Sequence, residues 1–366
     1  MRPIRVLIVD DSVVIRRLLS DILSQDPEIE VVGTAANGRI ALAKLPQVTP
    51  DLVTMDIEMP ELDGLATLPL LRKDYPNLPV IMFSTLSERG AIATFDALAR
   101  GANDYVAKPA NVGSVAAGME SVRQELIPKI KSLCPFHDSP VRKASQPVIQ
   151  RRQLPSSPQP MRQMKRCDAV VIGASTGGPQ ALSQVIGKLP GDFPVPVIIV
   201  QHMPPVFTRQ LANRLNQDCA LTVVEAQDGD AIQPGTVFIA PGDFHLEIHR
   251  QGVSVRAMLN QAPHENSCRP AVDVLFRSAA KVYGAGCQAV VLTGMGQDGK
   301  RGAECIVQSG GSVIAQDESS CVVWGMPRAV TEAGLASQVV PLTSVPSELL
   351  RRVAVARRSA SVCESR

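Results

Sequence analysis

The sequence predicts an α/β protein built from two doubly wound, mainly parallel sheets. Three observations carry that prediction. The first is size: 366 residues exceed one ordinary domain, and 45% hydrophobic residues suffice for at least two buried cores. The second is grammar. Short apolar runs that end in polar residues alternate with stretches of helical spacing along nearly the whole chain. The third is a break. Residues 134–166 hold six prolines, many Ser and Gln, and a net charge of +6, with neither a helical nor a strand period. Such a stretch cannot bury enough apolar surface to order itself and reads as an interdomain linker. The globular parts are then residues 1–133 and 167–366.

In the first part, Ile4–Val9 is an apolar run ending at Asp10 and Asp11, followed by Ile15, Leu18, Leu19, Ile22 and Leu23 at helical spacing. A second strand is expected at Glu30–Gly33 and a helix at Gly38–Leu45. Asp51–Met55 reads as a strand ending at Asp56, with a helix after Gly64. Pro79–Phe83 reads as a strand ending at Ser84, and residues 88–100 as a helix closed by Gly101. Asp104–Ala107 leads to Lys108, and a last helix runs to about Leu133. Five such units in sequence imply a doubly wound sheet.

The second part repeats this grammar less regularly. Ala169–Ile172 runs into Gly-Ala-Ser-Thr-Gly-Gly, with a helix over 177–188. Pro196–Val200 runs into Gln201-His202-Met203, with a helix over 205–217. Short strands are expected through 221–256, between turn signals. A helix at 270–284 precedes the strand Cys287–Leu292, which ends in TGMGQDG. A helix at 300–309, a strand at 312–316 and C-terminal helices complete the chain.

Composition excludes some classes of function. Residues 1–133 are net −3 and residues 167–366 net −1, so neither globular part carries the basic footprint of a nucleic-acid binder. Aromatic residues are only 3%, too few for base-stacking platforms. The longest apolar stretch, near Val195–Val200, is far short of a membrane span. Asp10-Asp11 interrupts the N-terminal apolar run, which is therefore not a signal peptide. The eight cysteines show no CxxC and no zinc spacing, as expected of reduced thiols in a cytoplasmic protein.

In a parallel sheet the functional edge lies at the carboxyl ends of the strands. In the first part these ends carry Asp10, Asp11, Asp56, Ser84 and Lys108. Three carboxylates at one edge repel one another unless a hard cation sits among them, and oxygen-only ligands favour Mg²⁺. With Lys108 and the Ser84 hydroxyl added, the set suits transfer of a phosphoryl group to a carboxylate. The pair Asp10-Asp11, the run DIEMPELDG around Asp56 and YVAKP at 105–109 resemble the receiver domain of two-component response regulators. That resemblance covers roughly residues 3–130. It implies a flavodoxin-like fold, Asp56 as phospho-acceptor, and Asp10 and Asp11 as partners of Asp56 in holding Mg²⁺. Ser84 and Lys108 would contact the phosphoryl group, and Tyr105 stands where the family has its switch aromatic.

In the second part, GASTGG admits two readings. One is a glycine-rich anion cradle and the other is a nucleophile elbow of the G-x-S-x-G type. Two further strand ends favour the second. His202 follows the strand VIIVQ, and Asp298 follows AVVLTG. Together with Ser175 they form a nucleophile, a base and an orienting carboxylate at one sheet edge. The Met295 N–H, in the turn Gly294-Met295-Gly296, could face a developing oxyanion. The other four histidines, 137, 245, 249 and 264, read as structural or surface residues. A second part that only bound DNA should show a basic helix-turn-helix, and one that only bound a nucleotide would leave His202 and Asp298 unexplained.

VIGASTGGP at 171–179, QHMP at 201–204 and LTGMGQDG at 292–299 resemble the catalytic domain of the CheB family of chemotaxis protein-glutamate methylesterases. The resemblance now covers nearly the whole chain in the family's order. It implies a Rossmann-like catalytic domain with Ser175, His202 and Asp298 as the triad, and hydrolysis that needs no cofactor. The implied substrates are γ-glutamyl methyl esters on methyl-accepting chemotaxis receptors, with deamidation of receptor glutamines as a second activity. A chemotaxis histidine kinase is the implied phosphodonor. Unphosphorylated, the receiver is expected to sit over the strand-end edge of the second domain and obstruct it.

Overall fold

Apolar runs without polar alternation become strands covered on both faces, the signature of a parallel sheet. The computed structural model describes residues 2–108, 115–134 and 167–364. The expected linker 134–166, apart from Cys134, lies outside the described residues. The first half runs β1 (Ile4–Val9), α1 (Val13–Leu23), β2 (Ile29–Ala35), α2 (Gly38–Val48), β3 (Leu52–Asp56), α3 (Gly64–Asp74), β4 (Val80–Ser84), α4 (Glu88–Ala99), β5 (Asp104–Ala107) and α5 (Val115–Leu133). All pairings are parallel, in the order β2-β1-β3-β4-β5. The order reverses between β1 and β3, which places Asp10 and Asp56 at the crevice of the switch point.

Helices α1 to α4 each begin at a short polar cap. Ser12, Asn37, Asp63 and Ser87 accept from the backbone N–H of Ile15, Ile40, Ala66 and Gly90 at 3.4, 2.9, 2.7 and 3.0 Å. Each removes one of the orphan donors at a helix start.

The second half runs β6 (Ala169–Ala174), α6 (Gly178–Ile186), β7 (Val197–Gln201), α7 (Pro205–Asp218), β8 (Thr222–Glu225), β9 (Thr236–Ile239), β10 (His245–Gln251), β11 (Ser254–Asn260), α8 (Val272–Tyr283), β12 (Cys287–Val291), α9 (Lys300–Gln308), β13 (Ser312–Gln316), α10 (Met326–Glu332), β14 (Gln338–Val340) and α11 (Val345–Glu364). Seven strands form one parallel sheet in the order β14-β13-β12-β6-β7-β9-β8. Two features depart from expectation. Of the short strands after residue 221, β10 and β11 leave the main sheet and pair antiparallel as a separate hairpin. The edge strand β14 was not foreseen, because three residues of mixed exposure carry no period.

No side-chain hydrogen bond caps α6, α7, α8, α9 or α10, whose caps are Gly177, Pro204, Ala271, Gly299 and Gly325. Their first N–H groups stay available to the loops at the carboxyl edge. The switch point lies between β6 and β12, flanked by β7.

The two halves share one apolar cluster, which continues from Met82, Phe95 and Tyr105 into Phe207 and Leu211. Tyr105 stacks on Phe207 with centroids 4.5 Å apart and planes at 7°. Around the rings, Thr176 Oγ1 donates to Asp104 Oδ2 at 2.9 Å, Gln180 to the Ala102 carbonyl at 3.1 Å, and Arg214 to Asp96 at 2.8 Å. Among the described residues no helix is long and apolar enough to cross a membrane.

Candidate functional site

Two constellations sit at the carboxyl edges. In the first sheet, a ligand oxygen of each of Asp10, Asp11 and Asp56 lies within 4.8 Å of the others. Asp10 and Asp56 are buried and Asp11 is exposed. Lys108 Nζ lies 2.8 Å from Asp56 Oδ2 and 3.2 Å from Asp10 Oδ2. Asp10 Oδ2 is buried, with the Lys108 ammonium as its neighbour. Burial pushes the Asp56 carboxyl up to about 6 despite the Lys108 ammonium, and Asp10 is raised for the same reason.

Three acids facing one ammonium leave carboxylate charge uncompensated and fit a hard divalent cation of the Mg²⁺ type. Asp11, Asp56, Ser84 and Lys108 line a cavity of about 280 Å³. The Ser84 hydroxyl turns to the Gly90 carbonyl at 3.1 Å. Tyr105 lies away from this cavity, buried against Phe207 in the seam between the halves.

In the second sheet, β6, β7 and β12 bring Ser175, His202 and Asp298 to one edge. Gly177 adopts φ +75°, and a Cβ there would meet Val322 Cβ at 2.6 Å, so the turn after Ser175 needs glycine. Gly294 is equally confined, since its Cβ would lie 2.8 Å from Ser175 Cβ. Ser175 N–H donates to the Thr293 carbonyl at 3.0 Å, and His202 N–H to Ala174 at 3.2 Å. Gln201, which the sequence reading passed over, donates to the carbonyls of both Ser175 and His202 at 3.0 and 3.3 Å. Met295 is half-buried in the turn before Asp298.

His202 Nε2 lies 2.8 Å from Asp298 Oδ2. The same carboxylate accepts from Val272 N at 2.7 Å, Asp273 N at 3.0 Å, Gly299 N at 2.9 Å and Asn266 Nδ2 at 2.8 Å. Two of these donors are the uncapped start of α8, where a negative charge is favoured. Burial acts to raise the Asp298 pKa, but the His202 ring and these N–H groups hold it below the usual range. Burial alone would push His202 down. Cys268 and Asp298, on opposite ring nitrogens, outweigh it and push the imidazole up to about 10.

The partner of His202 Nδ1 is Cys268 Sγ at 3.5 Å, and no hydrogen bond joins Ser175 to His202 among the described residues. Sequence reasoning missed Asn266, Cys268 and Asp273. They lie off any strand end, and the available signal was the dense polar run HENSC before Arg269-Pro270.

The CheB methylesterase family matches residues 170–349, and the response regulator receiver domain matches residues 6–119. A protein-glutamate methylesterase/protein-glutamine glutaminase of Nocardioides sp. is 56% identical over 98% of each chain. One of the same name from Trichodesmium erythraeum is 52% identical over 96% of this chain and 100% of its own. Among solved structures, the CheB methylesterase catalytic domain of Thermotoga maritima is 48% identical, with a TM-score of 0.50, covering 50% of this chain and 98% of that domain. With sequence agreeing over both halves and fold over the second, the chain belongs to the CheB methylesterase family, in the form that carries a receiver domain ahead of the esterase domain.

Proposed function

We propose that this chain is a phosphorylation-controlled protein-glutamate methylesterase that also deamidates glutamine. Its substrates would be methyl-accepting chemotaxis receptors and its phosphodonor a chemotaxis histidine kinase. The observation that carries the reading is the His202–Asp298 pair, held at 2.8 Å at the strand-end edge where the β6 turn also carries Ser175. An unactivated serine hydroxyl is a poor nucleophile at neutral pH. His202 Nδ1 is the ring nitrogen not held by Asp298, and it would give up its contact with Cys268 to take that proton. Asp298 fixes the tautomer and stabilises the imidazolium. The Ser175 oxygen would add to the ester carbonyl, the Met295 N–H would receive the oxyanion, and methanol would leave with the proton from His202. Water then releases the acyl group by the same route, and an amide follows the same course with ammonia leaving.

Asp56 would accept the phosphoryl group, with Lys108 and Ser84 as its contacts. Asp10, Asp11 and Asp56 would hold Mg²⁺, which neutralises phosphoryl charge when bound. The seam supports control by the receiver, since Asp104 of the receiver bonds Thr176, the neighbour of Ser175. Phosphorylation would shift a docking equilibrium between closed and open arrangements. The test is methanol release from a methylated receptor fragment, with and without a small-molecule phosphodonor. No release under either condition would overturn the esterase reading, and equal release under both would overturn the control.

A further inference from the structure

Cys268 is not a cysteine on its own. Its Sγ meets His202 Nδ1 at 3.5 Å, and His202 Nε2 is held by Asp298 at 2.8 Å, so thiol, imidazole and carboxylate form a continuous chain. The loop that aims the sulfur is firmly built. Cys268 N–H donates to the Glu265 carbonyl at 2.9 Å, and Glu265 N–H returns to Cys268 at 3.1 Å. Arg277 forks the Glu265 carboxylate with two contacts of 2.6 Å. Between them, Asn266 and Ser267 both occupy the left-handed region, at φ 52° and 62°. Such strain in non-glycine residues persists only where surroundings enforce it. Asn266 supplies that enforcement by donating to Asp298 and Asp273 at 2.8 and 2.9 Å. The carboxylate that orients the imidazole therefore also anchors the turn that presents the thiol.

We propose that Cys268 is a second nucleophile of this site, a thiol activated by His202 that hydrogen peroxide oxidises to a sulfenic acid. The thiol proton passes to His202 Nδ1, and the sulfur attacks one peroxide oxygen. The O–O bond breaks, and the departing hydroxide takes the proton from Nδ1 as water. Sulfur loses two electrons and peroxide gains them. The thiolate is the reactive form, and an imidazole at hydrogen-bond distance is what supplies it. Cys268 is half-buried, so a small oxidant can reach it. The other described thiols lack this partner. Burial pushes Cys134, Cys167 and Cys321 up to about 12 and raises Cys287 further. A sulfenic acid at Cys268 puts an added oxygen, a stronger hydrogen-bonding group than the thiol, beside the ring nitrogen that Ser175 needs, so peroxide would slow ester hydrolysis. That consequence, unlike the thiol chemistry, rests on the proposed role of Ser175.

The test treats the full chain with hydrogen peroxide in the presence of dimedone and reads trapped sulfenic acid at each cysteine by peptide mass spectrometry. Cys268 should be trapped at least about tenfold faster than Cys219 and Cys305, which are half-buried without an imidazole. In His202→Gln the advantage should disappear. Asp298→Asn should also reduce it, which keeps the test open if the first variant does not fold. Ser175→Ala should be trapped at the native rate even though its hydrolysis is lost. Equal trapping of the three thiols in the native chain, or an unchanged Cys268 rate in folded His202→Gln, would overturn the proposal. A native chain that never releases methanol yet traps Cys268 selectively would overturn only the esterase reading.

Discussion

Asp298 and Asp56 are both buried carboxylates, and their surroundings move them in opposite directions. Asp298 is met by the His202 ring and four N–H donors and stays ionised. Asp56 has Lys108 and one backbone N–H, faces Asp10, and rises to about 6. A carboxyl raised above its ordinary value favours the fold when protonated. That favour is full below the unfolded value and is lost as pH rises through about 6. Asp56→Asn should therefore gain of order 2 kcal/mol at pH 7, and millimolar Mg²⁺ should raise the Tm of the native chain more than that of the variant. Urea unfolding from pH 4 to 8 checks this, and a variant less stable than the native chain at pH 7 would contradict it. His202 has the opposite linkage: its raised value stabilises the fold at low pH and is lost as pH rises through about 10. As a base it must be neutral, so hydrolysis should increase with pH on the alkaline side of 6.5, and Asp298→Asn should move that midpoint down while lowering the rate. A flat profile with intact fold would count against a histidine base. Ser175→Ala should remain folded and lose roughly 10⁴-fold in methanol release. The residues behind these predictions were legible because each ends a strand or lies in the turn that follows one. Cys268 and Asn266 were not, since a strained loop and side-chain hydrogen bonds bring them in, and neither leaves a period in the sequence.

At the scale of elements, the helix starts divide the molecule. Those of α1 to α4 are closed by their own caps and serve only the fold. The start of α8 is left open and is consumed by Asp298, so chemistry takes over donors that a cap would otherwise hold. The strands were readable because both faces of β1, β3, β6, β7 and β12 are apolar. The β10–β11 hairpin was readable only as strands, because its detachment from the main sheet depends on long-range pairing. Across the seam, Thr176→Val removes the hydroxyl that bonds Asp104, while Asp104 keeps Lys129 at 3.3 Å. The loss should be about 1 kcal/mol of docking. If the receiver obstructs the site, basal hydrolysis without a phosphodonor should rise about fivefold. Steady-state methanol release measures it, and an unchanged basal rate with native kcat after phosphorylation would argue against this contact as part of the closure.

For the whole molecule, the separate sheets make a clean prediction possible. A chain of residues 167–366 should hydrolyse faster than the unphosphorylated full chain and approach the phosphorylated rate. The Thermotoga maritima relative shows that such a catalytic domain can be crystallised alone. A truncated chain no faster than the unphosphorylated protein would sink the obstruction idea and leave Ser175 untouched. The seam also has an optical consequence. The chain has three tyrosines, and burial against Phe207 holds the Tyr105 phenol well above its ordinary ionisation. Separation of the halves would free that ring to ionise near 10. Phenolate absorbs at longer ultraviolet wavelengths than phenol. An alkaline difference spectrum, taken with and without phosphodonor, should therefore gain the signal of one tyrosine when the halves part, and Tyr105→Phe should abolish the gain. The molecule thus carries its own chromophore for domain opening, one that needs no attached dye and reports independently of catalysis.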